Sequence, residues 1–306
     1  MREHHPARQN RRFFLTNASE VASAGFLATL LPAQATGQTQ GQTQGQIPKQ
    51  SHPASTRILA QLKNQYTFQI SVDVATIPQG LSVATAALKA GVHILEMGTP
   101  LLKNEGVANV VPAFRKQFPE ALLLADMKTM DGGASEARFV YSGGGNIIDF
   151  LALSGVDTAK SVCAVRDEFR RSHPDVPRLA FADILIPHQG PTANAADTAQ
   201  RMLDAGVDAV GIHLQSDARR NAPKLIESDY LGDMARAIFN RVGKSAPVQV
   251  VGGLHAAQAK SLARSGLRAF VISGNLGQPD TVTRYNLPPA EIERLIASFI
   301  KDVSGA

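Results

Sequence analysis

Tryptophan is absent from this 306-residue chain, and cysteine occurs once, at Cys163. A single cysteine forms no intrachain disulfide, so stability must come from a core, and neither redox compartment is excluded. Cys163 reads as a small buried hydrophobe on a helix. No Cys/His spacing suited to zinc is present, so any bound metal is expected to be a hard cation on oxygen ligands, such as Mg²⁺. The formal charge is only +5, and the basic residues are not gathered into one block. Together with the missing tryptophan, that removes the case for a nucleic-acid partner and leaves a small anionic ligand as the use for a few well-placed cations. No apolar run approaches the ~20 residues of a membrane span, so no stable membrane anchor is expected.

What is present begins with a leader. Arg11-Arg12 with Phe14-Leu15 behind it, a weakly apolar stretch from Val21 to Leu31, and Ala33-Gln34-Ala35 follow the charged, apolar, cleavable order of a secretory signal. The arginine pair gives residues 1–35 the form of a twin-arginine signal, although Asn10 stands where serine or threonine is usual. Export of an already folded, periplasmic protein is the expectation, with a cytoplasmic location if the leader is not used. Residues 36–65 repeat Gly-Gln-Thr-Gln between Gly37 and Gln46 and scatter Pro48 and Pro53, a composition that reads as a disordered linker. The folded domain is expected over residues 66–306.

Within that domain short β-like runs alternate with longer runs of helical period. Expected strands are 68–74, 94–99, 122–128, 147–154, 178–184, 209–214, 247–253 and 269–274, with helices such as 81–90, 107–118, 192–205 and 256–264 between them. Eight strand-helix units in this length predict a single-domain α/β fold of the (β/α)₈ TIM-barrel class. An open doubly wound sheet is the alternative. The strand faces favour the barrel: Phe68, Ile70, Val72 and Val74 lie on one side of the first strand, and Gln69, Ser71 and Asp73 on the other. The same count puts Glu96, Asp126, Lys128, Asp183 and His213 on the inward face near strand C-terminal ends, where barrel active sites are built. His93, His188 and His255 have no such company and are expected to be structural or surface residues.

The densest signal is Ala125-Asp126-Met127-Lys128-Thr129-Met130-Asp131-Gly132-Gly133. Alternation sets Asp126 and Lys128 side by side, with Asp131 just beyond the strand. Such charges are costly on a buried strand unless they hold a metal, a substrate or each other. Gly252-Gly253 and Gly274-Asn275 close the seventh and eighth strands, where barrel loops commonly bind phosphate. Arg219-Arg220 is expected to be a solvated loop.

The stretch from Asp73 to Gly277 resembles the orotidine 5'-phosphate decarboxylase suprafamily, and within it the 3-hexulose-6-phosphate synthase and 3-keto-L-gulonate-6-phosphate decarboxylase branch. The resemblance runs through Asp73, the segment from Glu96 to Gly106, Asp126-x-Lys128-x-x-Asp131, Gly211-Ile212-His213, Gly252-Gly253 and Gly274. It implies a lyase, most like the synthase joining formaldehyde to ribulose 5-phosphate, with the decarboxylase as runner-up; a non-catalytic phosphosugar-binding protein is the reading from another class. It implies that Glu96 and Asp126 hold Mg²⁺ against an enediolate, that Lys128 and His213 serve that charge and its proton, and that Asp73 orients Lys128 or a hydroxyl. Asp131 is implied to reach a neighbouring subunit's site in a homodimer. Thr99, Lys103, Asp183 and Asp217 are implied to touch the substrate, and Gly252, Gly253, Gly274 and Asn275 its phosphate. Asn275 departs from the Gly or Arg usual in the branch, and Leu214-Gln215 departs from its Thr-Gly.

Overall fold

Apolar residues that alternate on short strands can bury one face against surrounding helices only if the sheet curls back on itself, and the computed structural model shows that closure. It describes residues 52–190, 193–222 and 224–305. The expected leader, most of the expected linker and the export reading lie outside the described residues. The strands are β1 (Thr67–Val72), β2 (Ile94–Met97), β3 (Leu122–Thr129), β4 (Ile147–Leu151), β5 (Leu179–Ile186), β6 (Ala209–Leu214), β7 (Val248–Val251) and β8 (Ala269–Ile272). All are parallel, each pairs with the next, and β8 returns to β1 through Thr67↔Ala269, which excludes the open sheet. The helices are α1 (Pro53–Asn64), α2 (Ile77–Lys89), α3 (Thr99–Glu105), α4 (Val107–Gln117), α5 (Gly133–Ser142), α6 (Val156–Ser172), α7 (Ala195–Asp204), α8 (Ser216–Asn221), α9 (Lys224–Glu227), α10 (Tyr230–Val242), α11 (Ala256–Arg264) and α12 (Pro289–Ser304). Among the described residues, no helix is long and apolar enough to cross a membrane.

Helix α1 corrects the expected domain boundary. Twelve residues assigned to the linker form a helix whose Ile58 and Leu62 pack on Ile94, Leu124, Ile147, Leu179, Phe181 and Ala209. Those six are the inward residues at the N-terminal ends of β2 to β6, so α1 plugs the bottom of the barrel. Ser55 fixes it there, donating from Oγ to the Arg178 carbonyl and accepting from the Arg178 amide. The proline-rich approach to Pro53 hides this helix, yet proline at its first position is compatible with helix initiation. Its apolar side chains recur at helical spacing, Ile58, Leu59 and Leu62.

Each strand continues its inward column upward from that plug. Ile94 is followed two residues on by Glu96, Leu124 by Asp126, Ile147 by Asp149, Phe181 by Asp183, and Ala209 by Gly211 and His213. The bottom of the barrel is therefore apolar and the top is charged. The outward residues, Phe68, Ile70, Val72, Leu95, Leu123 and Ile148 among them, join the helices in one continuous core.

Candidate active site

The charged ends of these columns line a cavity of about 360 Å³ at the C-terminal mouth. Five carboxylates face it, those of Asp73, Glu96, Asp126, Asp149 and Asp183, together with Lys128, His213 and Arg220. The ladder sets several of them level: Ser71 pairs with Glu96, Asp126 with Asp149, and Asp183 with Gly211.

Lys128 reaches this cluster by an irregularity rather than by plain alternation. The β3–β4 register jumps from Asp126↔Asp149 to Thr129↔Phe150, so two residues of β3 bulge out, and Lys128 takes a left-handed φ of 49°. Bulges re-aim side chains beside active sites, and a non-glycine residue held in this region is strained. The re-aimed ammonium lies 2.8 Å from Asp126 Oδ1 and 2.6 Å from Asp183 Oδ2. Among the ion pairs of the described residues, Lys128 is held by Asp126 and Asp183 and not by Glu96. Burial acts to lower the ammonium's pKa, but Asp183 and Asp126 outweigh it and hold it well above the ordinary lysine value.

Asp183 is the buried hinge of the cluster. Its Oδ2 accepts from Lys128 and lies 2.9 Å from His213 Nδ1, while Oδ1 has no hydrogen-bond partner. Burial acts to raise this carboxyl, yet Lys128 and His213 hold it below the usual carboxylate range. A Cβ on Gly211 of the neighbouring strand would stand 3.4 Å from Oδ1, an ordinary contact. Glu96 is tied by two donors, Gln69 Nε2 and Ser71 Oγ, and Gln69 in turn accepts from Gln249. Burial, then the charges of Asp126 and Asp73, push Glu96 up to about 8. Asp149 is 6% exposed, its Oδ1 has no partner, and burial followed by Asp183 raises it well above the ordinary value.

Thr99 lies against the cavity, but its Oγ1 sits 2.8 Å from both the carbonyl and Oδ2 of Asp126, so it positions that carboxylate. Asp73 stands at the open rim, its Oδ2 3.1 Å from the Ser71 Oγ whose proton the closer Glu96 carboxyl takes at 2.7 Å. Gly98 lets Asp73 stand there, because a Cβ on it would overlap Asp73 Oδ1 and the Val72 carbonyl.

A second cavity, of about 180 Å³, shares Asp73, Ser216 and Arg220 with the first and extends over the loops after β6 and β8. Gly274, Asn275, Thr281 and Thr283 line it with Arg219. The expectation of a solvated Arg219-Arg220 loop is corrected for Arg219 alone: both residues lie on α8, and the Arg220 side chain is exposed. Arg219 is partly buried against Gly253, where a Cβ would overlap the guanidinium and φ is +69°. It donates to the Asp280 carbonyl, while the Asp280 carboxylate pairs with Arg284. The Asn275 side chain does not present its amide N–H groups to the cavity, since Nδ2 donates to the carbonyls of Gly253, Leu254 and Gln278.

Three expected site residues stand apart from both cavities in a single chain. Lys103 is exposed on α3, Asp217 is exposed and pairs with Arg220 at 2.6 Å, and Asp131 is exposed beyond β3 with Oδ1 accepting from the Gly132 amide. Gly252, at φ +130°, and Gly253 form the β7 turn beside the second cavity rather than its lining. His93 and His255 serve backbone amides, of Phe68 and Gln258, and stand outside the cluster. Asp149 was not among the expected site residues, although an acid enclosed by Ile147, Ile148, Phe150 and Leu151 is a signal of the same kind as Glu96.

Comparison with protein families matches residues 66–276 to the family described as Orotidine 5'-phosphate decarboxylase / HUMPS. A 3-hexulose-6-phosphate synthase of Mycobacterium gastri is 33% identical over 90 residues, 29% of this chain and 42% of that protein, so the matched segment spans under half its length. A 3-hexulose-6-phosphate synthase of Methylomonas aminofaciens is 27% identical over 185 residues, covering 59% of this chain and 77% of its own. Among solved structures, KGPDC from Streptococcus mutans superposes with a TM-score of 0.62 at 21% identity, over 78% of this chain and 98% of that one.

Proposed function

Because the chain belongs to the Orotidine 5'-phosphate decarboxylase / HUMPS family, we propose that it is a lyase acting on a phosphorylated sugar, most like 3-hexulose-6-phosphate synthase. The observation that carries this reading is the Lys128 ammonium, held between Asp126 and Asp183 with His213 on the same Asp183 oxygen, at the floor of a cavity that opens toward Arg219.

The fixed ammonium stabilises negative charge that develops on a substrate oxygen, in a site where its position needs no reorganisation. His213, whose Nδ1 faces Asp183, exchanges the proton at the reacting carbon through its other ring nitrogen. Asp183 orients both groups. The five carboxylates that face the cavity offer oxygen donors, which fits a hard divalent cation such as Mg²⁺. Glu96 and Asp126 are the residues the resemblance assigns to it, and the cation supplies further positive charge to the substrate's oxygens. Asp131 then serves the cavity of a second copy, making the active protein a dimer.

The phosphate end falls to the second cavity. With the Asn275 amide engaged by carbonyls, Arg219 and Arg220 provide the cationic recognition that this position otherwise lacks. Arg219→Ala is expected to raise KM for a phosphorylated substrate about 10–100-fold while kcat changes far less, the behaviour of a binding contact remote from the bond broken. An unchanged KM in steady-state kinetics would remove Arg219 from phosphate recognition.

The reading is tested by assaying the full chain with Mg²⁺, formaldehyde and ribulose 5-phosphate, beside 3-keto-L-gulonate 6-phosphate. Condensation supports the aldehyde-lyase, and release of CO₂ from the second compound supports the carboxy-lyase. Silence with both, combined with tight binding of a phosphosugar, identifies a binding protein and overturns the enzymatic reading.

A further inference from the structure

Two buried glutamines stand behind Glu96. Ser71 Oγ donates to its Oε1 at 2.7 Å and Gln69 Nε2 to its Oε2 at 2.5 Å, so each carboxylate oxygen has one donor and keeps a lone pair for a further partner. The Gln69 amide serves an ionised Glu96 in only one of its two orientations, because a half-turn about its last bond sets Oε1 against the carboxylate. Gln249 selects the useful one: its Nε2 donates to Gln69 Oε1 at 2.7 Å, which leaves Gln69 Nε2 for Glu96. The three side chains belong to β7, β1 and β2, and Gln249 reaches past β8 to make its bond. Gln69 is 1% exposed and Gln249 2%, so solvent places neither. Gln249 lies outside the lining of both cavities, and its own Oε1 is buried with no partner. An apolar side chain of the same length would fill that place without an unsatisfied acceptor, so packing does not account for an amide there. What the amide does is orient Gln69.

We propose that Gln249 is a positioning residue for the cation site: acting through Gln69, it holds the Glu96 carboxylate in the orientation in which Glu96 binds the divalent ion. The proposal rests on the reading of Glu96 as a ligand of that ion. Hydrogen bonds to a ligating carboxylate fix its plane and keep it in place for the metal. Ser71 is level with Glu96 on the ladder and holds one oxygen from the adjacent strand. The glutamine pair holds the other, with its far end anchored on β7. Glu96 is thereby set by contacts from two other strands and not by its own rotamer alone.

The test is Mn²⁺ binding to the full chain, followed by calorimetry and by the electron paramagnetic resonance of the free ion. It compares the wild type with Glu96→Gln, Gln69→Leu, Gln249→Met and the double variant Gln69→Leu/Gln249→Met. Gln69→Leu is expected to weaken Mn²⁺ binding about 10–100-fold, and Gln249→Met, one bond further out, about 3–10-fold. In the Gln69→Leu background the change at Gln249 is expected to alter affinity by less than about twofold, because its route to Glu96 is gone. A role in packing alone shifts the melting temperature and leaves Mn²⁺ affinity where it was; that result overturns the proposal, as does an equal effect of Gln249→Met in both backgrounds. If Gln249→Met does not fold, Gln249→Leu provides the same comparison. Mn²⁺ binding that is insensitive to Glu96→Gln, or absent from the wild type, removes the ligand role of Glu96 and the relay with it. Turnover separates the two readings: a failed substrate assay with Gln249-dependent Mn²⁺ binding rejects the lyase reading alone, and turnover with Gln249-independent Mn²⁺ binding rejects this proposal alone.

Discussion

Lys128→Ala is expected to lower turnover by at least about 10³-fold while leaving a folded barrel, as judged by steady-state kinetics beside far-ultraviolet circular dichroism. The loss is large because no other cation among the described residues replaces the ammonium between Asp126 and Asp183: the Arg220 guanidinium lies at the rim and is engaged by Asp217. The fold survives because Lys128 stands above the apolar plug built by Ile58, Leu62, Leu124, Ile147 and Phe181 and contributes nothing to it. Breaking a buried ion pair typically costs about 3–5 kcal/mol. The cost is smaller here, since Asp183 keeps His213 as a partner and a released carboxylate can take up a proton. Near-wild-type activity in this variant would sink the mechanism. A variant that does not fold would show that the bulge in β3, and not the ammonium alone, depends on this side chain.

The architecture was legible because a closed parallel barrel imposes one repeating demand on every strand. Inward positions two residues apart pass from apolar to charged, as Ile94 to Glu96 and Leu124 to Asp126 do, and outward positions stay apolar. Asp149 follows the same rule after Ile147 and could have been read from it. Helix α1 was hidden by its surroundings: a Gly/Gln/Thr repeat and two prolines precede Ile58, and the surface that orders the helix comes from five strands distant in sequence. Arg219 was illegible for a related reason. Its partly buried position depends on Gly253, far along the chain, leaving room for the guanidinium, and its proposed phosphate role on Asn275 turning its amide toward carbonyls. The pairing of Lys128 with Asp183 likewise follows from the β3 bulge, a departure from alternation that no local residue pattern announces.

Metal-free protein is expected to lose stability as pH rises from about 5 to about 8.5, the reverse of the trend set by carboxylates held in ion pairs. Glu96 is raised from 4.5 to about 8, and Asp149 is raised as well, so the folded state keeps protons that the unfolded chain has released. Stability from these groups is fully present below their ordinary carboxylate range and is lost as pH climbs through their folded values. Asp183 acts with the opposite sign: its depressed carboxyl contributes above the ordinary range and loses that contribution toward acid. The optimum therefore falls near pH 5. The share of the loss due to Glu96 alone is at most about 5 kcal/mol, about 10 °C or more in Tm for a domain of this size. If the proposed cation site is correct, Mg²⁺ binds the ionised carboxylates, and its stabilisation grows as pH rises and flattens the slope. Melting curves in EDTA and in millimolar MgCl₂ across this range provide the measurement, with Glu96→Gln expected to flatten the EDTA curve by itself. A Tm in EDTA that is constant or rising toward pH 8.5 would show that the crowded carboxylates ionise without penalty, and the case for a cation neutralising them would go with it.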